Sequence, residues 1–142
     1  MPVVIIPWLC FIIGCSAQNG NEVKEIGKKE SKSGKISVTI DFKDQRPVIS
    51  YEGVAIHEGM TILELMQQIE AAGEENEFRF EYRGAGETAF LKSILDVENE
   101  GGNGQNWIYD VDGKLGDCSF AAYKLKDGDT VHWKFKKYEE DQ

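Results

Sequence analysis

The chain has 142 residues, of which 25 are acidic and 16 are Lys or Arg, giving a formal net charge of −9 at neutral pH. This length suits a single domain with some additional sequence. Because an acidic protein repels phosphate backbones and anionic headgroups, the charge disfavours nucleic acids as partners.

The N-terminal segment joins an apolar run to a cysteine. Residues 1–14, MPVVIIPWLCFIIG, contain no charged side chain, and a polar stretch follows Cys15. The run has about half the length that crosses a bilayer, so it is more typical of a signal sequence than of a spanning helix. A buried strand is an alternative that Pro2 and Pro7 disfavour, and an ordinary secretory signal is another. Ile12-Ile13-Gly14-Cys15 resembles the lipobox of bacterial lipoproteins, which implies an extracytoplasmic protein of the bacterial cell envelope, lipid-anchored to a membrane through Cys15.

The segment after the apolar run and the end of the chain are both polar. Residues 15–34 are rich in Ser, Gly, Asn, Lys and Glu, which predicts a flexible tether, and residues 139–142 form an acidic tail. If Cys15 carries lipid and Cys10 leaves with the signal peptide, Cys118 has no partner for an intramolecular disulfide. Such a lone cysteine is more often a small packed side chain than a nucleophile.

Residues 35–138 carry the patterns of one folded domain, which begins with a predicted hairpin. Apolar residues alternate with polar ones from Ile36 to Phe42, as in a half-buried strand. Residues 44–47 form a turn signal, and residues 48–56 predict the second strand.

A single amphipathic helix follows the hairpin. Thr61 and Glu64 have the spacing of a capping box, and Gly73 is suited to stop the helix. The apolar residues between them recur at the spacing of one helix face, so the helix is predicted over Thr61–Ala72. They are Ile62, Leu65, Met66 and Ile69.

The second half of the domain predicts further strands joined by turns. Residues 88–98 fit either a strand or a short helical turn, and the Gly/Asn-rich residues 99–106 predict a loop. Hairpin, helix and later strands together predict an α+β fold, a mixed, mainly antiparallel sheet with one main helix in the order of a β-grasp. The remaining predicted elements are strands at 78–82, 107–111 and 131–135 and a tight turn at Asp112-Gly113.

No pattern in the chain indicates catalysis or a resident cofactor. His57, His132 and Cys118 are too scattered to predict a zinc site. A calcium loop beginning at Asp110 fails because Lys114 stands where an oxygen ligand is required. The glycines of the 99–106 loop lack both a GxGxxG pattern and a P-loop lysine. We therefore predict a protein that is not an enzyme and has no metal site.

Three motifs in order carry a family resemblance. They are Gly59–Glu64 opening the helix, Trp107-Ile108-Tyr109 on a strand that ends in a glycine turn, and the Tyr-x-Leu-x-x-Gly-Asp-x-Val-x-Trp segment Tyr123–Trp133. Together they resemble the transcobalamin C-terminal-like domain, a β-grasp-type module that also occurs in an uncharacterised bacterial family, DUF4430. The resemblance covers residues 35–138.

The resemblance implies a ligand and a set of contact residues. In the vitamin B12 carriers this domain closes over cobalamin held by a separate helical barrel, and the loop before the Tyr123 segment helps to contact the ligand. This chain contains neither that barrel nor the carriers' disulfides, so cobalamin is implied only as a bound ligand, not as a catalytic cofactor. Carried over, the binding residues are Trp107, Tyr109, Leu115, Gly116, Asp117, Cys118, Ser119 and Phe120.

Two kinds of function fit these observations. The first is a non-catalytic binding module for a corrinoid or a similar small molecule, which requires a concave site around residues 115–122 with Trp107, Tyr109 or Phe120 exposed in it. The second is an envelope adaptor that binds another protein along a β-grasp edge or loop, which requires an exposed flat edge and no pocket. In either case we expect a monomeric domain.

Overall fold

A computed structural model describes residues 32–73 and 77–138 of the chain. The predicted signal peptide, Cys15 and the acidic tail 139–142 lie outside the described residues. Within this part of the protein, no helix has the length and apolar character needed to cross a membrane. The elements are β1 (Ser33–Asp41), β2 (Ile49–His57), α1 (Ile62–Ala72), β3 (Phe80–Arg83), a 3-10 turn (Gly86–Thr88), β4 (Phe90–Ile94), β5 (Val97–Glu98), β6 (Asn106–Val111), β7 (Lys114–Leu115) and β8 (Thr130–Lys136).

The larger sheet has five strands in the order β2-β1-β8-β6-β7. β1 pairs in parallel with β8, and the other neighbours are antiparallel, which is the mixed arrangement expected of a β-grasp. β1 begins at Ser33, so residues 33 and 34, which were predicted as tether, belong to the sheet. Gly34 pairs with Ile56 and packs against Asp127, where any larger residue would collide.

The buried side chains of helix α1 belong to the same hydrophobic core as those of this sheet. Both halves of the predicted capping box are present, with the Thr61 hydroxyl accepting from the Glu64 N–H and the Glu64 carboxylate accepting from the Thr61 N–H at 2.7 Å. Gly73 ends the helix as predicted, but it does so with an extended backbone (φ −76°) rather than a left-handed one. The four apolar residues of the predicted helix face are all buried, and they are Ile62, Leu65, Met66 and Ile69.

A second, three-stranded sheet has the order β3-β4-β5. The ambiguous residues 88–98 contain the end of the 3-10 turn and a β-hairpin, β4–β5, whose turn residues Leu95 and Asp96 both have positive φ. The predicted strand 78–82 begins only at Phe80. The α+β prediction with one main helix is therefore confirmed, whereas the strands form two sheets rather than one.

The β6–β7 hairpin positions the region discussed below. Asp112 and Gly113 have φ of 52° and 79°, the left-handed pair that a type I′ turn requires, so the predicted tight turn is confirmed. The Trp107, Tyr109 and Val111 side chains alternate onto the buried face of β6. β7 is only two residues long, and the chain leaves the sheet after it.

Candidate functional site

An open cleft of about 330 Å³ lies between β4, β6 and the chain segment after β7. Among the described residues, no charged side chain lines it. This volume lies at the lower end of the range typical of small-molecule sites. The lining residues are Ala89, Phe90 and Leu91 beside and in β4; Trp107, Ile108 and Tyr109 in β6; Leu115, Gly116, Cys118, Ser119 and Phe120 after the hairpin turn; and Trp133 and Tyr138 near the end of the domain.

The structure brings together the residues that the family resemblance selected, with one exception. Trp107, Tyr109 and five of the six predicted residues from 115 to 120 line this one cleft, whereas Asp117 does not. Cys118 is exposed, so the prediction that it packs as a buried side chain is wrong.

The aromatic residues of β6 form the floor of the cleft rather than an exposed surface. Trp107, Tyr109 and Phe120 are only 7%, 8% and 3% exposed, so the condition set above for a binding module, that one of them is exposed in the concave site, is not met. The Trp107 indole N–H donates to the Val97 carbonyl at 2.8 Å, and its ring packs edge-on against Phe42. These partners place much of Trp107 in the core.

The exposed rim consists of residues that sequence analysis mostly missed. Phe90, Leu115 and Tyr138 are 48%, 51% and 62% exposed, yet all three line the cleft. The Arg83 guanidinium lies 5.2 Å from the centroid of the Phe90 ring, a cation–π contact. Phe90 shares the outer face of β4 with Lys92, and an aromatic side chain on a solvent-facing strand position was the signal available in the sequence.

Tyr109 holds the chain that leaves the hairpin. Its hydroxyl donates to the Cys118 carbonyl at 2.7 Å, and its own carbonyl accepts from the Gly116 N–H at 3.0 Å. A Cβ at Gly116 would overlap the Tyr109 ring, so glycine permits this close approach. Burial, and secondly the hydrogen bond to Cys118, raises the pKa of Tyr109 well above its usual range, so the phenol remains a neutral donor.

Ser119 and Phe120 fix the loop to its neighbours. The Ser119 hydroxyl donates to the Ala89 carbonyl at 2.9 Å and accepts from the Ala121 N–H at 3.2 Å. The Phe120 carbonyl accepts from the N–H of Leu63 in α1 at 3.1 Å. Hydrogen bonds thus join one wall of the cleft to the residue that precedes β4 and to the helix.

Trp133 completes the aromatic floor. Its ring lies 5.3 Å from that of Tyr109 and 5.6 Å from that of Phe120. The Trp133 indole N–H is buried and has no hydrogen-bond partner among the described residues. A buried donor in this state is uncommon in folded proteins.

The histidines and most of the acidic residues lie elsewhere. Asp110, on the outer face of the large sheet, pairs with Lys134 at 2.6 Å and lies 3.8 Å from the His132 ring. The Asp110 carboxylate accepts from the Gly113 N–H in the hairpin turn, and the Asp112 carboxylate accepts from the Thr130 N–H at the start of β8. In residues 32–73 and 77–138, no three His, Cys, Asp or Glu side chains converge as metal ligands would.

Sequence comparison assigns the domain. The family described as "Domain of unknown function (DUF4430)" matches residues 58–137, more than half of the chain. The chain belongs to the DUF4430 family. No curated protein matches the sequence of this DUF4430 protein.

Two solved structures share the fold. Haptocorrin, in a complex with Cbi, matches with a TM-score of 0.57 and 12% identity over 75% of this chain and 26% of the haptocorrin chain. A candidate metal binding protein from Ruminococcus gnavus ATCC 29149 matches with a TM-score of 0.55 and 15% identity over 75% of this chain and 99% of that chain. The DUF4430 chain thus spans about a quarter of haptocorrin. The predicted resemblance to a transcobalamin C-terminal-like domain is confirmed for the fold.

Proposed function

We propose that this DUF4430 protein is a non-catalytic binding module whose cleft holds part of a small ligand. The observation that carries the proposal is the cleft itself, where exposed apolar rim residues such as Phe90 and Leu115 surround a buried aromatic floor. Exposed apolar groups around a concavity are typical of binding surfaces. Because Tyr109 and Ser119 anchor the loop by hydrogen bonds, the wall is preformed and loses little entropy on binding.

A corrinoid is the ligand we propose. The support is the fold shared with haptocorrin, whose structure contains Cbi, and the aromatic residues among the described lining of the cleft, which suit a large, flat, amide-rimmed molecule. A cleft of about 330 Å³ covers only part of such a molecule. The rest of the ligand would face solvent or a second protein.

Equilibrium dialysis of cobinamide against the full chain tests this function. We expect saturable retention of about one cobinamide per chain, because the cleft is a single preformed site. No retention at high micromolar cobinamide contradicts a corrinoid site.

We also propose that the protein is lipid-anchored in the bacterial envelope through Cys15. The support is the lipobox resemblance of Ile12-Ile13-Gly14-Cys15. Cys15→Ala should move the protein from the membrane fraction to the soluble fraction, since a lipid chain supplies the membrane affinity. Cys118→Ala is the matched control and should stay on the membrane. Retention of Cys15→Ala on the membrane contradicts the anchor.

A docking role along a sheet edge is the second candidate. In its favour, the nine-residue β2 lies at the edge of the large sheet, and β1 is its only partner among the described strands. Against it, β2 contains a bulge at Gly53, whose φ is +65° and where the pairing register with β1 shifts between Ile36 and Val38. A bulge at this place interrupts the regular strand edge that an added strand would need. The cleft therefore has the better support.

A further inference from the structure

A second cavity lies between strand β2 and the C-terminal half of helix α1. Its volume is about 300 Å³, and it shares no described lining residue with the cleft discussed above. Tyr51 and Val54 line it from β2, and the remaining described lining comes from α1 and the residues that follow the helix. We call this cavity the β2–α1 pocket, and the proposed corrinoid site does not use it.

The walls of the β2–α1 pocket are largely apolar. Val54 and Ile69 supply branched aliphatic side chains, and Ala72 supplies a methyl group. Gln68 also lines the pocket and joins the helix to the strand, because its Nε2 atom donates to the Ala55 carbonyl at 2.9 Å. This bond fixes the orientation of the amide, whose Oε1 atom is an acceptor only. Such walls suit an aliphatic chain that ends in a hydrogen-bond donor.

Negative charge lies at one end of the pocket. Among the described lining residues, Glu77 is the one charged side chain. A Cβ built on Gly73 would lie 3.8 Å from Glu77 Oε2, so this carboxylate lies beside the C-terminus of α1. The C-terminal end of a helix carries a partial negative charge, and the last turn of α1 contains no basic residue to balance it. The pocket therefore favours a cation over an anion.

The Tyr51 phenol responds to this charge. Desolvation by burial, and secondly the charge of Glu77, raise the pKa of Tyr51 above the ordinary 10.0. The Tyr51 ring packs edge-on against Phe78, with the ring centroids 6.0 Å apart, which holds it in place. A neutral phenol near a carboxylate also favours a cation, because its ring attracts positive charge and its oxygen can accept a hydrogen bond.

We propose that the β2–α1 pocket binds an alkylammonium group, with the ammonium at Glu77 and the aliphatic stem against Val54 and Ile69. A primary ammonium on a chain of about four or five carbons combines an apolar stem with a compact charge and three donors. A metal ion fits less well, because the described residues bring no three His, Cys, Asp or Glu side chains together. The alkylammonium group has two sources, a lysine side chain of a polypeptide and a free aliphatic amine.

An NMR titration of the 15N-labelled full chain in detergent tests the site. The probe is Nα-acetyl-lysine methylamide, and we expect saturable shifts of the Gln68 side-chain amide and the Gly73 backbone amide. A ligand of this size should bind with a dissociation constant on the order of millimolar. The matched probe, Nα-acetyl-norleucine methylamide, has the same aliphatic stem without the ammonium and should bind more weakly by about tenfold or more.

Two pairs of variants locate the bound probe. Glu77→Gln should weaken binding of the lysine probe about tenfold through loss of a charge-assisted hydrogen bond, whereas the exposed Glu52 in β2 does not line the pocket and Glu52→Gln should bind as the wild type does. Ala72→Leu should abolish binding by filling the pocket. Ala71→Leu is its control, because Ala71 is an exposed residue of the same helix that does not line the pocket.

Pentylamine distinguishes the two sources. Equal or tighter binding of pentylamine would support the pocket with free amines as its ligands, and tighter binding of the lysine probe would support a polypeptide lysine. Equal binding of the norleucine probe, unchanged binding by Glu77→Gln, or no saturable shift at tens of millimolar lysine probe would overturn the proposal. Because the pocket and the cleft share no described lining residue, each of these results leaves the proposed corrinoid site standing.

Discussion

Replacing Tyr109 by Phe removes one hydroxyl from the floor of the cleft and leaves the ring in place. The lost hydrogen bond is the one of 2.7 Å to the Cys118 carbonyl. A neutral hydrogen bond of this kind contributes about 1 kcal/mol to the free energy of unfolding. At pH 7 we therefore expect Tyr109→Phe to be less stable than the wild type by about that amount.

The difference should reverse in alkaline solution. Burial raises the pKa of Tyr109 in the folded state far above the ordinary 10.0. Above pH 10 the unfolded chain loses the phenol proton while the folded chain keeps it, so the stability that Tyr109 contributes is complete below pH 10 and is lost as the pH rises. By pH 11 the loss is about 1.4 kcal/mol. The two stability curves should therefore cross between about pH 10 and pH 11.

Urea unfolding followed by far-UV circular dichroism at intervals from pH 7 to pH 11 measures both effects. Tyr82→Phe is the matched control, because the Tyr82 hydroxyl makes no hydrogen bond to the described part of the chain, and this variant should follow the wild type. The lysines and the tyrosines other than Tyr82 and Tyr109 are common to all three proteins, so their contributions cancel when the free energies of unfolding are subtracted. If the free energies of unfolding of wild type and Tyr109→Phe differed by a constant amount across this pH range, the Tyr109 hydroxyl could not be the buried, hydrogen-bonded group described above.

Three further substitutions test the geometry around the cleft. Gly116→Ala should lower the free energy of unfolding by about 1–3 kcal/mol in a denaturant titration, because its Cβ would overlap the Tyr109 ring. The control is Gly73→Ala, where a Cβ has only ordinary contacts from 3.5 Å, and its free energy of unfolding should be near that of the wild type. Equal effects of the two substitutions would contradict the packing of Gly116 against Tyr109. Trp107→Phe should cost about 2 kcal/mol in the same assay, since it leaves the buried Val97 carbonyl unpaired; an unchanged midpoint would show that this bond is absent. Hydrogen bonds from the backbone and then the side chain of Thr61 lower the pKa of Glu64. In thermal unfolding, Glu64→Gln should therefore be less stable than the wild type by about 0.5 kcal/mol at pH 7, and the two stabilities should approach each other below about pH 4. A stability difference that persists in acid would contradict the role of the Glu64 carboxylate as a cap.

Local patterns were enough to predict the elements whose structure is decided by neighbouring residues. The spacing of Thr61 and Glu64 placed the start of α1, because a capping box needs only four consecutive residues. Asp112-Gly113 predicted its hairpin, because few residue pairs accept two positive φ angles. The alternation of Trp107, Tyr109 and Val111 placed their side chains on one face of β6.

Features that depend on distant pairing could not be predicted in this way. Phe90 and Leu91 are both apolar, so alternation alone does not show that Leu91 packs inward while Phe90 forms the cleft rim. The second sheet was missed because β3 and β4 were recognisable only as short apolar segments, without a signal for their partner. The exposed aromatic residue that the binding hypothesis required is not found at Trp107 or Tyr109, because Phe42, Val97 and neighbouring aromatic rings enclose these side chains.

The central claim is that the cleft binds a ligand through its exposed rim. A cobinamide titration that follows tryptophan fluorescence, corrected for the absorbance of the ligand, tests it most directly when wild type, Phe90→Ala and Val48→Ala are compared. Val48 is 55% exposed and does not line the cleft, so it is the matched control. We predict saturable quenching in the wild type and Val48→Ala, and about tenfold weaker binding by Phe90→Ala, which loses the apolar contact of one ring. Absence of binding, or equal affinity in all three proteins, would contradict the claim.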